Sequence, residues 1–120
     1  MSYDIYLTDP VSGEELEVNQ PHFMGGGTQA LNGTKTLWLN ITYNYSGFYY
    51  RDDVFGKDGI RSIYGRTGLQ SIPLLENAIQ HLGNDTVPDY WTATEGNAKR
   101  PLLQLLAMAR MRPDGIWKGD

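Results

Sequence analysis

The chain reads as one α+β domain over residues 1–120: an antiparallel sheet of three to five strands with two helices packed on one face. Three observations lead there. Alternating apolar residues mark strands in the first half, most clearly L-W-L-N-I-T-Y-N-Y at Leu37–Tyr45. Helix-spaced apolar residues with helix punctuation are confined to the second half. The two kinds of element are thus segregated rather than alternating, which argues against a parallel α/β sheet. A length of 120 residues suits a single domain that buries roughly two-thirds of its unfolded surface.

Tyr3 to Thr8 predicts the first strand, with Ile5 and Leu7 on one side. Asp9-Pro10-Val11-Ser12-Gly13 supplies turn chemistry, and Glu15–Val18 returns as a second strand with Leu16 and Val18 inward. Pro21–Gly27 breaks the pattern, and its three glycines read as a loop or flexible lid. Asn32-Gly33 is a strong hairpin signal that should feed the Leu37–Tyr45 strand. On that strand Leu37, Leu39, Ile41, Tyr43 and Tyr45 share the core face, opposite Trp38, Asn40, Thr42 and Asn44. Ser46–Tyr50 follows as an exposed aromatic run, and Gly59–Gly68 as a short strand or structured loop.

The first helix is expected from Ser71 as N-cap, with Leu75, Ala78, Ile79 and Leu82 on one face and Gly83 as the stop. For the second, Asn97 is the expected N-cap, because a start at Thr94 would put Pro101 in the second turn. Its body, Leu102–Met111, is apolar nearly all round and ends at Arg110, Arg112 and a Pro113-Asp114-Gly115 turn. Ile116-Trp117 then folds back onto the body.

Several function classes are excluded by composition. The net charge is −4, with Lys and Arg scattered, so no basic stripe invites nucleic acid. The chain has no cysteine, which removes disulfides, thiolate metal sites and Cys nucleophiles. The N-terminus lacks a basic and apolar leader, and no window approaches the ~20 apolar residues of a membrane span. A cytoplasmic location without a membrane partner is the expectation. No cofactor motif is present: Gly25-Gly26-Gly27-Thr28 lacks the Lys and spacing of a phosphate loop. Asp52, Asp53 and Asp58 lack the calcium-loop pattern, and two distant histidines make no metal site.

What remains is a set of binding candidates. Arg61, Tyr64 and Arg66, flanked by glycines, form an anion clamp, since guanidinium forks match carboxylate or phosphate. Asn40, Thr42 and Asn44 line a polar strand face, its two asparagines about 13 Å apart. Asn97 with Lys99 and Arg100 at a helix start makes a second anion site. Converging with the clamp, the strand face would suit a polar small molecule. His22 is the weak catalytic candidate, because no Ser, Asp or second His is placed for it. His81, at the end of the first helix, reads as a dipole complement.

The blocks Leu37–Tyr45, Gly59–Gly68 and Tyr90–Asp120, with E-G-N-A-K-R and M-R-P-D-G-I-W-K-G-D, resemble a family of short, uncharacterised bacterial and phage proteins. The resemblance implies a microbial or phage setting and brings no activity or site residues with it. Three function classes follow. The first is a non-enzymatic binding protein of phage or mobile-element type, capturing a polar anionic small molecule or a host protein. The second is a small hydrolase or transferase using His22 as general base. The third is an assembly protein whose Phe48-Tyr49-Tyr50 run makes a homo-oligomer contact.

Overall fold

The computed structural model describes residues 1–22 and 33–120. It is an α+β fold. Strands β1 (Ser2–Thr8), β4 (Trp38–Thr42) and β5 (Ile116–Gly119) form an antiparallel sheet in the order β4-β1-β5, while β2 (Glu17–His22) pairs with β3 (Thr34–Thr36) in a second sheet. Three helices are present among the described residues, α1 (Ser46–Tyr49), α2 (Gly68–His81) and α3 (Glu95–Met111), with 3-10 turns at Tyr43–Tyr45 and Gly59–Ile63. No helix among the described residues is long and apolar enough to cross a membrane.

The first strand and its turn follow the sequence reading. The Asp9 carboxylate accepts from the amides of Val11 and Ser12, and Gly13 takes a positive φ of 76° that other residues rarely adopt. The returning chain touches β1 through a bridge between Thr8 and Glu15. There the two sheets meet in a triangle of main-chain hydrogen bonds: Leu7 N–H to Leu37, Leu37 N–H to Leu16, and Leu16 N–H to Leu7. All three leucine side chains are buried, so the junction is dry and its polar groups satisfy one another. The glycine run at 25–27 and Asn32 of the expected turn lie outside the described residues.

The core fills one side of the main sheet. Tyr3, Ile5 and Leu7 of β1, Leu39 and Ile41 of β4, and Trp117 of β5 share a cluster with Leu75 and Ala78 of α2 and Leu102 and Leu105 of α3. Burying each large side chain of this kind contributes about 1.5–3 kcal/mol before the entropy of ordering is charged against it.

Five sequence expectations are corrected. The Leu37–Tyr45 strand stops at Thr42, whose hydroxyl accepts from Asn44 N–H and starts a 3-10 turn. Tyr45 is fully buried nonetheless. The aromatic run after it is helical: Tyr49 is fully buried, donates to Ala98 O and has its phenol pushed well above the ordinary range by burial, while Tyr50 is exposed. Next, α2 starts at Thr67 rather than Ser71, through a reciprocal Thr67–Gln70 capping box. Ser71 becomes a buried helical residue, and Pro73 falls inside the helix.

Likewise α3 is capped by Thr94, with Pro101 inside it. The proline lacks the N–H that would bond Asn97 O, yet its ring is buried in the core and its neighbour Ala98 O gains the Tyr49 hydroxyl. Finally, Ile116–Gly119 is a strand in its own right. Trp117 pairs with Leu7, and its indole Nε1 donates to Ser71 Oγ at 2.8 Å, which ties β5 to α2.

Candidate functional site

Strand alternation decides what can converge. Asp4 pairs with Asn40 and Tyr3 with Ile41, so Asn40 stands on the open face of the sheet and Tyr3 on the core face. The Arg61 guanidinium lies over the Tyr3 ring, 4.9 Å from its centroid. Arg61 and Asn40 therefore sit on opposite sides of the sheet, and the polar strand face and the clamp do not share a cavity.

Each member of the polar face has a structural partner. Asn40 Nδ2 donates to Ser2 Oγ at 2.7 Å and to Asp4 Oδ1 at 2.8 Å, a cross-strand latch. Thr42 is buried, its hydroxyl capping the 3-10 turn and its amide donating to Tyr90 Oη. Asn44 is off the strand and donates to Trp91 O at 2.9 Å. The Tyr90–Trp91 linker is bound further by the Tyr45 hydroxyl, which donates to Tyr90 O; burial pushes that phenol up to about 12.

The expected anion site at the second helix is also filled from within. Asn97 is buried, both its amide hydrogens go to Asp89 O and Thr92 O, and its oxygen accepts from Val87 N–H. The N–H groups of Gly96, Asn97 and Ala98 bond Asp85 O, Thr94 Oγ1 and Thr94 O. Lys99 Nζ donates to Asn84 Oδ1 at 2.6 Å. Asn97 and Lys99 thus clasp the 84–92 linker onto α3.

The clamp residues separate into two roles. Gly65 and Arg66 use their main chains to cover the outer edge of β5: Gly65 N–H bonds Trp117 O, and Trp117 N–H bonds Arg66 O. The Arg66 side chain is exposed and turns back to Ser62 O. Tyr64 points inward. Its hydroxyl is buried without a hydrogen-bond partner, packed so close to Gly119 that a Cβ there would stand 2.5 Å from the phenol oxygen. Burial pushes the Tyr64 phenol well above its ordinary range.

Arg61 keeps the chemistry of a recognition group. Its guanidinium stacks on Tyr3 and lies 5.8 Å from the Tyr43 centroid, and the two tyrosine rings themselves meet edge to face at 4.6 Å. Nε donates to the Asp120 main-chain oxygen at 3.1 Å and Nη2 to Tyr43 Oη at 3.3 Å. Arg51, Arg110 and Arg112 each hold a side-chain carboxylate, whereas Arg61 pairs with no Asp or Glu side chain among the described residues. Two of its five N–H groups are used, which leaves both hydrogens of Nη1 and one of Nη2 without a partner among the described residues. The Tyr43 hydroxyl accepts from Arg61 and keeps its own proton to donate. Behind them Tyr3 Oη bonds Ser46 Oγ at 2.7 Å, and burial raises the Tyr3 phenol, holding it protonated.

Tyr43 was legible in the sequence as a core-facing strand residue and Tyr3 as the start of the first strand, without a sign that they hold Arg61. A phenol at the end of a strand has a ring to bury and a hydroxyl to place, and two of them together favour an arginine nearby.

His22 lies apart, on β2. Its Nε2 is 2.5 Å from Thr36 O, a carbonyl that can only accept, so that nitrogen carries a proton. It borders a cavity of about 160 Å³ whose other described lining is Gln104, Ala107, Met108 and Met111 of α3. No cluster of three metal-ligating side chains occurs among the described residues.

Comparison with protein-family models, with curated proteins and with solved structures found no match to the chain.

Proposed function

We propose that the chain is a non-enzymatic binding protein that holds an anionic group of a small molecule or of a partner protein on the end-on edge of Arg61. The observation that carries this reading is the guanidinium itself, stacked on Tyr3 and Tyr43, without an Asp or Glu side chain among the described residues, and with three N–H groups left over. An end-on fork accepts a carboxylate or phosphate bidentately, and the Tyr43 hydroxyl adds a further donor beside it. Stacking fixes the fork before a ligand arrives, which reduces the entropy lost on binding. His22 has a main-chain carbonyl on one nitrogen and an apolar cavity beside it, which favours binding over acid–base chemistry. The natural setting in this proposal is a bacterial or phage cytoplasm, where the captured group belongs to a host metabolite or protein.

Mass spectrometry of the species released on denaturing the purified protein tests the reading. Wild-type protein should release a recurring anionic species that Arg61→Ala loses while its circular dichroism is retained. Arg61→Lys should lose most of it too, because a point charge cannot replace the planar fork. An unchanged released species in Arg61→Ala removes the proposal.

A further inference from the structure

Asp120 fastens itself beside Arg61 with three hydrogen bonds. Its main-chain oxygen accepts from Arg61 Nε at 3.1 Å, its Oδ1 accepts from Asp4 N–H at 2.9 Å, and its own N–H reaches Asp4 O at 3.4 Å. The last is longer than the usual range, and the other two lie at the surface, where water can take their place. Asp120 is exposed and lies beyond Ile5–Gly119, the last residue pair of the β1–β5 ladder. Beside it Gly119 covers the Tyr64 hydroxyl so closely that a Cβ would stand 2.5 Å from the phenol oxygen and 2.6 Å from Asp4 O. That hydroxyl is buried and has no hydrogen-bond partner among the described residues.

The closed arrangement is therefore a compromise. It gives Arg61 Nε an acceptor and keeps a phenol hydroxyl dry, at the desolvation cost of an unpaired polar group. Lifting Gly119–Asp120 would wet the Tyr64 hydroxyl and return Nε to the guanidinium fork. An anion arriving at Arg61 favours the lifted state twice, since it forms a charge-assisted bond with Nε and repels the Asp120 carboxylate. We infer that Gly119–Asp120 is a built-in competitor for the anion site, a strap that occupies part of Arg61 until the ligand displaces it. The inference rests on the anion-binding reading of Arg61 and adds the regulation of that site. The apparent affinity is then the intrinsic affinity scaled by the fraction of molecules with the strap lifted. Tyr64 promotes binding by destabilising the closed state, without touching the ligand.

The test is a titration of the full chain with inorganic phosphate at constant ionic strength, followed by the Arg61 Nε–Hε and Asp4 amide resonances. Asp120→Ala should bind phosphate roughly fivefold more tightly than wild type, the change that one net hydrogen bond carries. Asp120→Asn keeps an acceptor for Asp4 N–H and loses only the charge, so it should gain less. Tyr64→Phe has no hydroxyl to wet on opening and should bind roughly threefold more weakly. Saturating phosphate should also move the wild-type Asp4 amide toward its position in phosphate-free Asp120→Ala. A phosphate shift at Arg61 with an unmoved Asp4 amide overturns the strap and leaves the Arg61 site standing. So do equal gains in Asp120→Ala and Asp120→Asn, or equal affinities in Tyr64→Phe and wild type. An Arg61 that ignores phosphate in both wild type and Asp120→Ala overturns the strap and the site together.

Discussion

Ser71→Ala removes one oxygen atom and should be among the most damaging small substitutions in the chain. Trp117 is fully buried, and its indole N–H is held by Ser71 Oγ at 2.8 Å, with Ser71 in turn donating to Gly68 O. The lost hydrogen bond is worth about 1 kcal/mol net, and stranding a buried donor adds roughly 1–2 kcal/mol. Gly68 O remains inside the α2 ladder, so it adds little. The sum is about 2–3 kcal/mol, or some 8–12 °C at roughly 4 °C per kcal/mol for a domain of this length. Urea unfolding with fluorescence and circular dichroism read together would measure it. Trp117→Phe loses the donor and leaves a small void, costing roughly 2 kcal/mol. The double variant strands nothing, so it should cost less than the sum of the singles by about 1–2 kcal/mol. A Ser71→Ala cost under about 0.5 kcal/mol, or strict additivity of the pair, would refute the reasoning.

Other sites make sharp predictions. Tyr64→Phe removes a buried hydroxyl that has no hydrogen-bond partner, so stability should be unchanged or rise by about 1 kcal/mol in the same unfolding assay. Gly119→Ala should destabilise by about 2 kcal/mol or more, because its Cβ would meet Tyr64 Oη at 2.5 Å and Asp4 O at 2.6 Å. Adding Tyr64→Phe should rescue it only in part, since the Asp4 carbonyl stays in place. Thr94→Ala should cost about 1 kcal/mol by leaving Asn97 N–H without its cap, which thermal unfolding would register. Arg51 hydrogen-bonds Asp53 and Glu95 and holds both carboxyls below their ordinary values, so their contribution is present above the unfolded pKa values and fades as pH falls through the folded ones. Arg51→Gln should therefore flatten the acid limb of the stability–pH curve below about pH 4.5 and leave its shape near neutrality alone.

Elements with a strong local signal were legible in the sequence. The Tyr3–Thr8 strand, its Asp9–Gly13 turn and the Leu75/Ala78/Leu82 stripe lie where periodicity and turn chemistry put them. Boundaries failed where one residue type serves two local purposes. Thr42 is a good strand residue and also a good cap, and the structure uses the cap. Thr94 was passed over because of Pro101, whose cost is met by burial in the core, a tertiary effect invisible to spacing. The four-residue β5 is too short to show a period, and only its pairing with β1 defines it.

The candidate site was legible residue by residue and not as an arrangement. Asparagines and threonines that read as ligand contacts, Asn40, Thr42, Asn44 and Asn97, spend their polar groups on the fold. Sequence gives a side chain's chemistry but not whether a neighbour has already used it. Arg61 stands out because its neighbours use its face and two of its donors, and leave the rest.

The most direct test of that reading is the Nε–Hε resonance of Arg61 in a ¹⁵N–¹H correlation spectrum. Acetate and phosphate would be titrated separately against chloride at constant ionic strength, with exposed Arg100 as the internal reference. The account predicts a saturating shift at Arg61, accompanied by the Tyr43 ring and absent at Arg100. Shifts at Arg61 that merely track Arg100 would contradict it.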